Sequence, residues 1–280
     1  MAIPVYTIVC TFKKLIARGV YELRFSRPAG FTFKPGQFVL FDVPLVNGPH
    51  PPAPFPTGRG GDLFQTRALS IASTPEESDL LFVVKLLPGG RLSRWIEEVL
   101  KEGSKVSLKG PFGNFVLTPS PPDPLSQGER GSGLFFIATG AGIAPFRPMV
   151  LQALTLHQSL RSGAGQAPGP SPVATGEGGR RIDILFGVRS EEDLFWKDWL
   201  EDISRDHPNV FHHIALSQPS PSWTGHRGRV QAVAPQIVGS DFTQKTLYVC
   251  GNPDMTTDVK RLALGEWGME KKDVHVEGYI

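Results

Sequence analysis

Arg67-Ala68-Leu69-Ser70, Gly89-Gly90-Arg91-Leu92-Ser93 and Thr139-Gly140-Ala141-Gly142-Ile143-Ala144-Pro145 stand in that order along a chain of 280 residues. Each is suited to hold phosphate. Arg67 lies in a run whose two-residue alternation puts Arg67, Leu69 and Ile71 on one strand face and Ala68 and Ser70 on the other. Such a strand presents a fixed guanidinium to a phosphate and hydrogen-bonding groups to a planar ring. The Gly89-Gly90 turn closes a strand and opens a helix, so its amides and the Ser93 hydroxyl form an anion site fit for a pyrophosphate. The Thr139–Pro145 stretch follows an apolar strand, Phe135-Phe136-Ile137-Ala138, and precedes a helix in which an early Pro145 costs no hydrogen bond. Its amides face a ligand at the carboxyl end of a sheet, where open α/β sheets bind nucleotides. With Pro145 at the third glycine position it departs from G-x-G-x-x-G. One cofactor on each half is the simplest reading, and two cofactors together imply electron transfer.

The elements that position these motifs change character along the chain. From Tyr6 to about Leu117 the apolar runs are short and strand-like: Val20–Phe25, Gln37–Phe41, Leu80–Lys85 and Lys105–Leu108. Turns at Pro28-Ala29-Gly30, Lys34-Pro35-Gly36, Pro88-Gly89-Gly90 and Glu102-Gly103 break them as expected of an antiparallel barrel or sandwich. One helix is expected over Leu92–Leu100. From Leu134 buried strands alternate with amphipathic stretches: Leu134–Ala138, Ile182–Gly187, Val210–Leu216, Thr246–Cys250 and Asp273–Glu277. That alternation reads as a parallel sheet covered on both faces. Cys250-Gly251-Asn252-Pro253 repeats the strand-to-helix arrangement, with Asn252 as cap and Pro253 at the first helical position.

The chain is long enough for two domains, expected over residues 1–118 and 132–280. Three Pro/Gly-rich segments, Pro49–Gly61, Pro119–Gly131 and Pro168–Gly179, read as copies of one unit inserted into surface loops. With 29 basic and 27 acidic residues the formal charge is only +2, which shows no nucleic-acid footprint. No run reaches the roughly 18 apolar residues of a spanning helix and no leader pattern opens the chain, so a cytoplasmic protein is expected. Cys10 and Cys250 have no C-x-x-C spacing, and His207, His212 and His213 lack acidic or Cys partners at ligand spacing, so no metal is expected.

Taken together, R-x-L-S, G-G-R-L-S, Gly110-Pro111-Phe112-Gly113, T-G-A-G-I-A-P, C-G-N-P and a terminal Glu277-Gly278-Tyr279 resemble the ferredoxin-NADP reductase superfamily. The resemblance implies a Greek-key flavin-binding β-barrel followed by an α/β nucleotide domain. It implies FAD, ahead of FMN, as cofactor. By position, Arg67 would contact the flavin phosphate, Ala68, Leu69 and Ser70 would line the isoalloxazine, and Lys85 and Leu86 would touch it through stem and backbone. Gly90, Arg91, Leu92 and Ser93 would hold the phosphates. Thr139, Gly140, Gly142 and Gly251 would receive NADP or NAD, with Cys250 near the nicotinamide. Ser70 and Glu277 would steady the proton at flavin N5.

Two departures matter. Leu69 stands where many relatives carry Tyr, and Tyr279, not a terminal aromatic, is left to cover the flavin. Ser217 with Arg227 or Arg229 would read the extra phosphate of NADP, although Gln218 stands where an Arg often follows that Ser, and the reading leans slightly to NADP. The implied reaction is hydride transfer between NAD(P)H and flavin, with electrons passed to ferredoxin, flavodoxin or another redox protein. Two rivals are a flavin subunit of a larger redox complex, such as a hydrogenase or dihydroorotate dehydrogenase partner, and a binding module without turnover.

Overall fold

The structure is a computed structural model that describes residues 3–44, 64–117, 133–162, 180–239 and 241–279. The chain divides into two compact units, Met1–Val116 and Leu117–Ile280. All three Pro/Gly-rich segments lie outside the described residues. No helix among the described residues is long and apolar enough to cross a membrane.

The first unit is built from six strands, β1 (Val5–Ala17), β2 (Val20–Ser26), β3 (Phe38–Pro44), β4 (Phe64–Ser70), β5 (Asp79–Lys85) and β6 (Lys105–Phe112), in the spatial order β4-β3-β6-β1-β2-β5. Every pairing is antiparallel. The sheet rolls toward a barrel just beyond the end of β4, where the Ala72 amide donates to the Leu81 carbonyl at 2.8 Å. Apolar side chains alternate inward, as a one-sided sheet requires. Phe25, Phe41 and Phe82 meet edge to face with centroids 5.0–6.0 Å apart at the centre of the core. Along most of its length β4 pairs with β3 alone, which leaves its outer edge unpaired, with Arg67 half-buried and Ala68 exposed on it.

The expected helix begins at Arg91. Helix α1 (Arg91–Arg94) widens into a π-helical turn at Trp95–Val99, which drives Trp95 and Ile96 into the core. Its carboxyl end is held by the Lys13 ammonium, which donates to the carbonyls of Ile96 and, at 2.8 Å, of Leu100.

The second unit carries the parallel sheet β10-β9-β8-β7-β11-β12, from β7 (Gly133–Thr139), β8 (Ile182–Val188), β9 (Val210–Leu216), β10 (His226–Arg227), β11 (Lys245–Gly251) and β12 (Val274–Gly278). The near-continuous apolar runs of β7, β8 and β11 are buried on both faces. Helices α2 (Phe146–Ser162), α3 (Lys197–Asp206), α4 (Val230–Val238) and α5 (Pro253–Gly265) connect the strands. The chain runs from β7 outward through β8 to β10 and then returns to β11, on the other side of β7. Strand order therefore reverses between β7 and β11, and the crevice at their carboxyl ends is the ligand position of such folds.

One polar cluster interrupts the apolar sheet. Asp183 on β8 is 1% exposed and meets Arg181 at 2.8 Å, Lys245 at 3.3 Å and His213 Nε2 at 3.4 Å. Burial alone would raise its pKa, but the hydrogen bonds from His213 and Arg181 and the charge of Lys245 bring it down to about 2.

Candidate functional site

In the first unit two cations converge without a counter-charge. Arg67 on β4 and Arg91 at the start of α1 have no acidic partner among the described residues. Among the described residues Arg67 donates only to the neighbouring Thr66 carbonyl, at 2.9 Å. Its pKa is pushed below the usual guanidinium value, first by burial and then by the charge of Arg91. Beside them the first turn of α1 has no capping side chain, which leaves the amides of Arg91, Leu92 and Ser93 open. Two guanidiniums near enough for their charges to interact and a set of open amides have the chemistry that suits a diphosphate. Gln65 Oε1 on the same strand is buried and has no hydrogen-bond partner among the described residues. These residues fit a flavin dinucleotide, whose phosphates and hydroxyls match what the protein leaves unpaired.

Other expected contacts take different roles. The Ser93 hydroxyl oxygen accepts from the Leu87 amide at 2.8 Å and braces the loop before α1, a bond that leaves the hydroxyl proton as a donor. The Leu86 amide donates to the Gly19 carbonyl at 2.7 Å and the Lys85 ammonium to the Arg18 carbonyl at 2.6 Å, and neither bond involves the Lys85 stem. Leu69 is 9% exposed and belongs to the barrel core, while Ser70 is buried at the strand's end and Ala68 is exposed. Gly90 accepts from the Arg94 amide and starts the helix.

In the second unit the turn after β7 rides on the end of β11. The Thr139–Pro145 segment first forms a 3₁₀ turn over Gly140–Ile143, and α2 starts only after Pro145. A Cβ on Gly142 would sit 2.2 Å from the Cys250 carbonyl oxygen, so this glycine serves the packing of the turn against β11. Gly251, at φ 150°, closes the same contact from the other side, since its Cβ would sit 2.2 Å from Thr139 Oγ1. Thr139 Oγ1 accepts from the Asn252 amide at 3.2 Å, and Asn252 Oδ1 caps α5 by accepting from Asp254 and Met255. Gly140 faces open space. The result is a tight junction of two strand-to-helix turns with backbone amides at the crevice.

Three expected roles are revised here. The Cys250 thiol is 0% exposed, and burial followed by the charge of Glu277 raises its pKa, so it neither lines the crevice nor exchanges a proton readily. Glu277 lies on β12 directly across from Cys250. Tyr279, expected over the flavin, donates its hydroxyl to the Ala141 carbonyl at 2.7 Å and its amide to the Gly251 carbonyl at 3.0 Å, across the ends of β7 and β11. One Arg227 guanidinium nitrogen, Nη2, donates to the loop carbonyls of Ser220, Pro221 and Trp223. The cation beside Ser217 is instead Arg189, whose Nε donates to Gln218 Oε1 at 2.8 Å. Sequence reading missed Arg189 because its link to Gln218 runs between the ends of β8 and β9.

The fold and the matches to known families and relatives define an NAD(P)H-dependent flavoprotein oxidoreductase with FAD as cofactor. Residues 61–117 match the oxidoreductase FAD-binding domain family and residues 136–261 the oxidoreductase NAD-binding domain family. The chain is 34% identical to ferredoxin–NADP reductase B of Sorangium cellulosum over 268 residues, covering 93% of this chain and 91% of that one. It belongs to the ferredoxin-NADP reductase superfamily. It is also 29% identical to one component of the Na(+)-translocating NADH-quinone reductase of Klebsiella pneumoniae, over 76% of this chain but only 48% of that relative, so it spans about half of that protein. Among solved structures, the Amycolatopsis cytochrome P450 reductase GcoB shares the fold with a TM-score of 0.75 at 23% identity, covering 99% of this chain and 71% of that one.

Proposed function

We propose that this protein oxidises NADPH and delivers the electrons to a small acidic redox protein of the ferredoxin or flavodoxin kind. The single observation that carries the flavin half is the pair Arg67 and Arg91, two cations held together beside open helix amides. Bound FAD supplies the chemistry, taking hydride from the nicotinamide and releasing electrons singly. The chain's own residues bind and orient. Arg67, Arg91 and the amides from Arg91 to Ser93 hold the diphosphate, and Ala68 and Ser70 meet the ring system, with the Ser70 hydroxyl at its polar edge. Thr139, Gly140 and the turn amides receive the nucleotide. Ser217 and Arg189 read the NADP phosphate. A Gln at position 218 supports that assignment, since an uncharged amide orients Arg189 without neutralising it.

The acidic acceptor follows from charge. Met1–Val116 carries 14 Lys and Arg against 9 Asp and Glu, whereas Leu117–Ile280 carries 15 against 18. A second reading, a reductase component serving a larger assembly, is favoured by the likeness to the quinone reductase component. Purified protein is tested for a flavin spectrum, then for anaerobic bleaching by NADPH and NADH separately, then for reduction of ferredoxin. Bleaching by NADPH with rapid ferredoxin reduction supports the first reading. Bleaching without ferredoxin reduction moves the acceptor to the second, and failure to hold any flavin removes both.

A further inference from the structure

We propose that Glu191 is a positioning residue for nucleotide choice: by latching Ser220 it holds the loop that orders Arg189 and Ser217, and so favours the dinucleotide that carries an extra phosphate. The inference rests on the NADPH reading above. Past the ends of β8 and β9 the backbone ladder runs on for a short way, with the Ser217 amide donating to the Val188 carbonyl at 3.1 Å and the Gln218 amide to the Arg189 carbonyl at 2.7 Å. There it stops. Pro219 has no N–H to donate, and the Ser190 carbonyl is taken by the Asp193 amide at 3.1 Å as the chain turns into the 3₁₀ segment Glu191–Asp193. The Glu191 carboxylate supplies the acceptor that the backbone no longer offers: Oε1 accepts from the Ser220 amide at 3.0 Å and from its hydroxyl at 2.6 Å. The bond from the Ser220 hydroxyl holds this carboxyl below the usual glutamate range.

A carboxylate so near in sequence to a phosphate-reading cation calls for a reason, because its charge works against an incoming phosphate. Its hydrogen bonds give one. Ser220 is gripped from both sides, since its carbonyl accepts from Arg227 Nη2 at 3.0 Å while its amide and hydroxyl go to Glu191. Gln218 is thereby fixed between the ladder on one side and Ser220 on the other, and its Oε1 accepts from Arg189 Nε at 2.8 Å. Without the latch Pro219 and Ser220 are released, Gln218 no longer aims Arg189, and binding has to order both side chains itself. NADH makes no demand on this apparatus, because its ribose lacks the extra phosphate. Glu191 therefore acts on the choice between nucleotides and not on hydride transfer.

The test titrates the full chain with NADP+ and NAD+ separately by calorimetry, and follows anaerobic flavin reduction by NADPH and NADH in the FAD-loaded protein. Glu191→Ala removes the acceptor. It should weaken NADP+ about fivefold or more, the ordering cost of two long side chains, and raise the half-saturating NADPH concentration alike, while NAD+ affinity and the limiting rate of flavin reduction stay level. Glu191→Gln keeps an oxygen acceptor for Ser220 and should hold the wild-type NADP+-to-NAD+ affinity ratio or exceed it. Ser220→Ala deletes the hydroxyl from the other side of the same bond, and reads the same ratio if circular dichroism shows the Glu191→Ala variant unfolded. An unchanged or raised ratio in folded Glu191→Ala overturns the proposal. So does equal weakening of both nucleotides, which marks a merely structural loop, and so does a Gln variant that falls as far as Ala, which assigns the effect to charge. Wild-type protein that binds NAD+ as tightly as NADP+ would instead strike the NADPH reading itself, and the latch with it.

Discussion

Arg67 and Arg91 repel each other in the structure, and an anion set between them turns that repulsion into two charge-assisted contacts. Arg67→Ala should therefore weaken FAD by about ten- to a hundred-fold, the scale of a lost charged hydrogen bond, with little change in melting temperature of the flavin-free protein. Arg91→Ala should do the same, and titration of flavin into each stripped variant checks it. Weakening of NADP with no change in FAD would place the pair elsewhere in the chemistry. Gly142 gives a contrasting case. Gly142→Ala puts a methyl 2.2 Å from the Cys250 carbonyl, which must force the turn off β11. The variant should lose nucleotide affinity and melt several degrees lower by calorimetry. At this scale the cations and the uncapped turn were legible, because R-x-L-S and the Gly-Gly-Arg turn carry them as local patterns. Cys250, Arg227 and Tyr279 were not. Each is defined by what lies across the fold from it, a buried strand neighbour, three loop carbonyls and the Ala141 carbonyl, and local sequence does not record such partners.

The strands and helices were readable to within a residue or two wherever apolar spacing was regular, as in β2, β5, β8 and β9. The π-helical turn at Trp95–Val99 was not, because it exists to seat Trp95 and Ile96 in the barrel core, a tertiary demand that helical periodicity does not encode. The Asn252 cap was legible from Asn-Pro after a strand. Asn252→Ala removes the acceptor for two first-turn amides of α5, and should cost about 1 kcal/mol in denaturant unfolding with the slope unchanged. The Asp183 cluster went unseen because its partners come from β8, β9 and β11. Its pKa of about 2 lies below the ordinary 3.8, so its contribution is complete above roughly pH 4 and is lost as pH falls through 2. The window corresponds to about 2 kcal/mol. Asp183→Asn should flatten that part of the stability profile between pH 4 and 2, as followed by urea unfolding at each pH, and should lower stability at pH 7. A variant whose acid profile overlays the wild type would show that other carboxylates carry the acid sensitivity.

For the molecule as a whole, a formal charge of +2 hides a division that only the partition into two units exposes. The barrel unit has an excess of basic residues and the nucleotide unit a slight excess of acidic ones. Composition read over the entire chain averages the two away, which is why charge gave no partner until the units were known. An acidic acceptor drawn to the barrel unit would be steered by long-range attraction, and that attraction is screened over about 10 Å at 0.1 M salt. Electron delivery to such a protein should then fall by roughly tenfold or more between 0.01 and 0.3 M salt, while reduction of a small uncharged acceptor by the same NADPH-reduced protein stays level. Comparing the two acceptors in one salt series separates steering from any effect on flavin reduction, because both rates share the NADPH step. A parallel decline would put the salt effect in nucleotide binding, where Arg189 meets the extra phosphate, and a flat response for both would mean that the acceptor is recognised by shape and apolar contact and that the basic excess of the barrel unit serves its own cofactor alone.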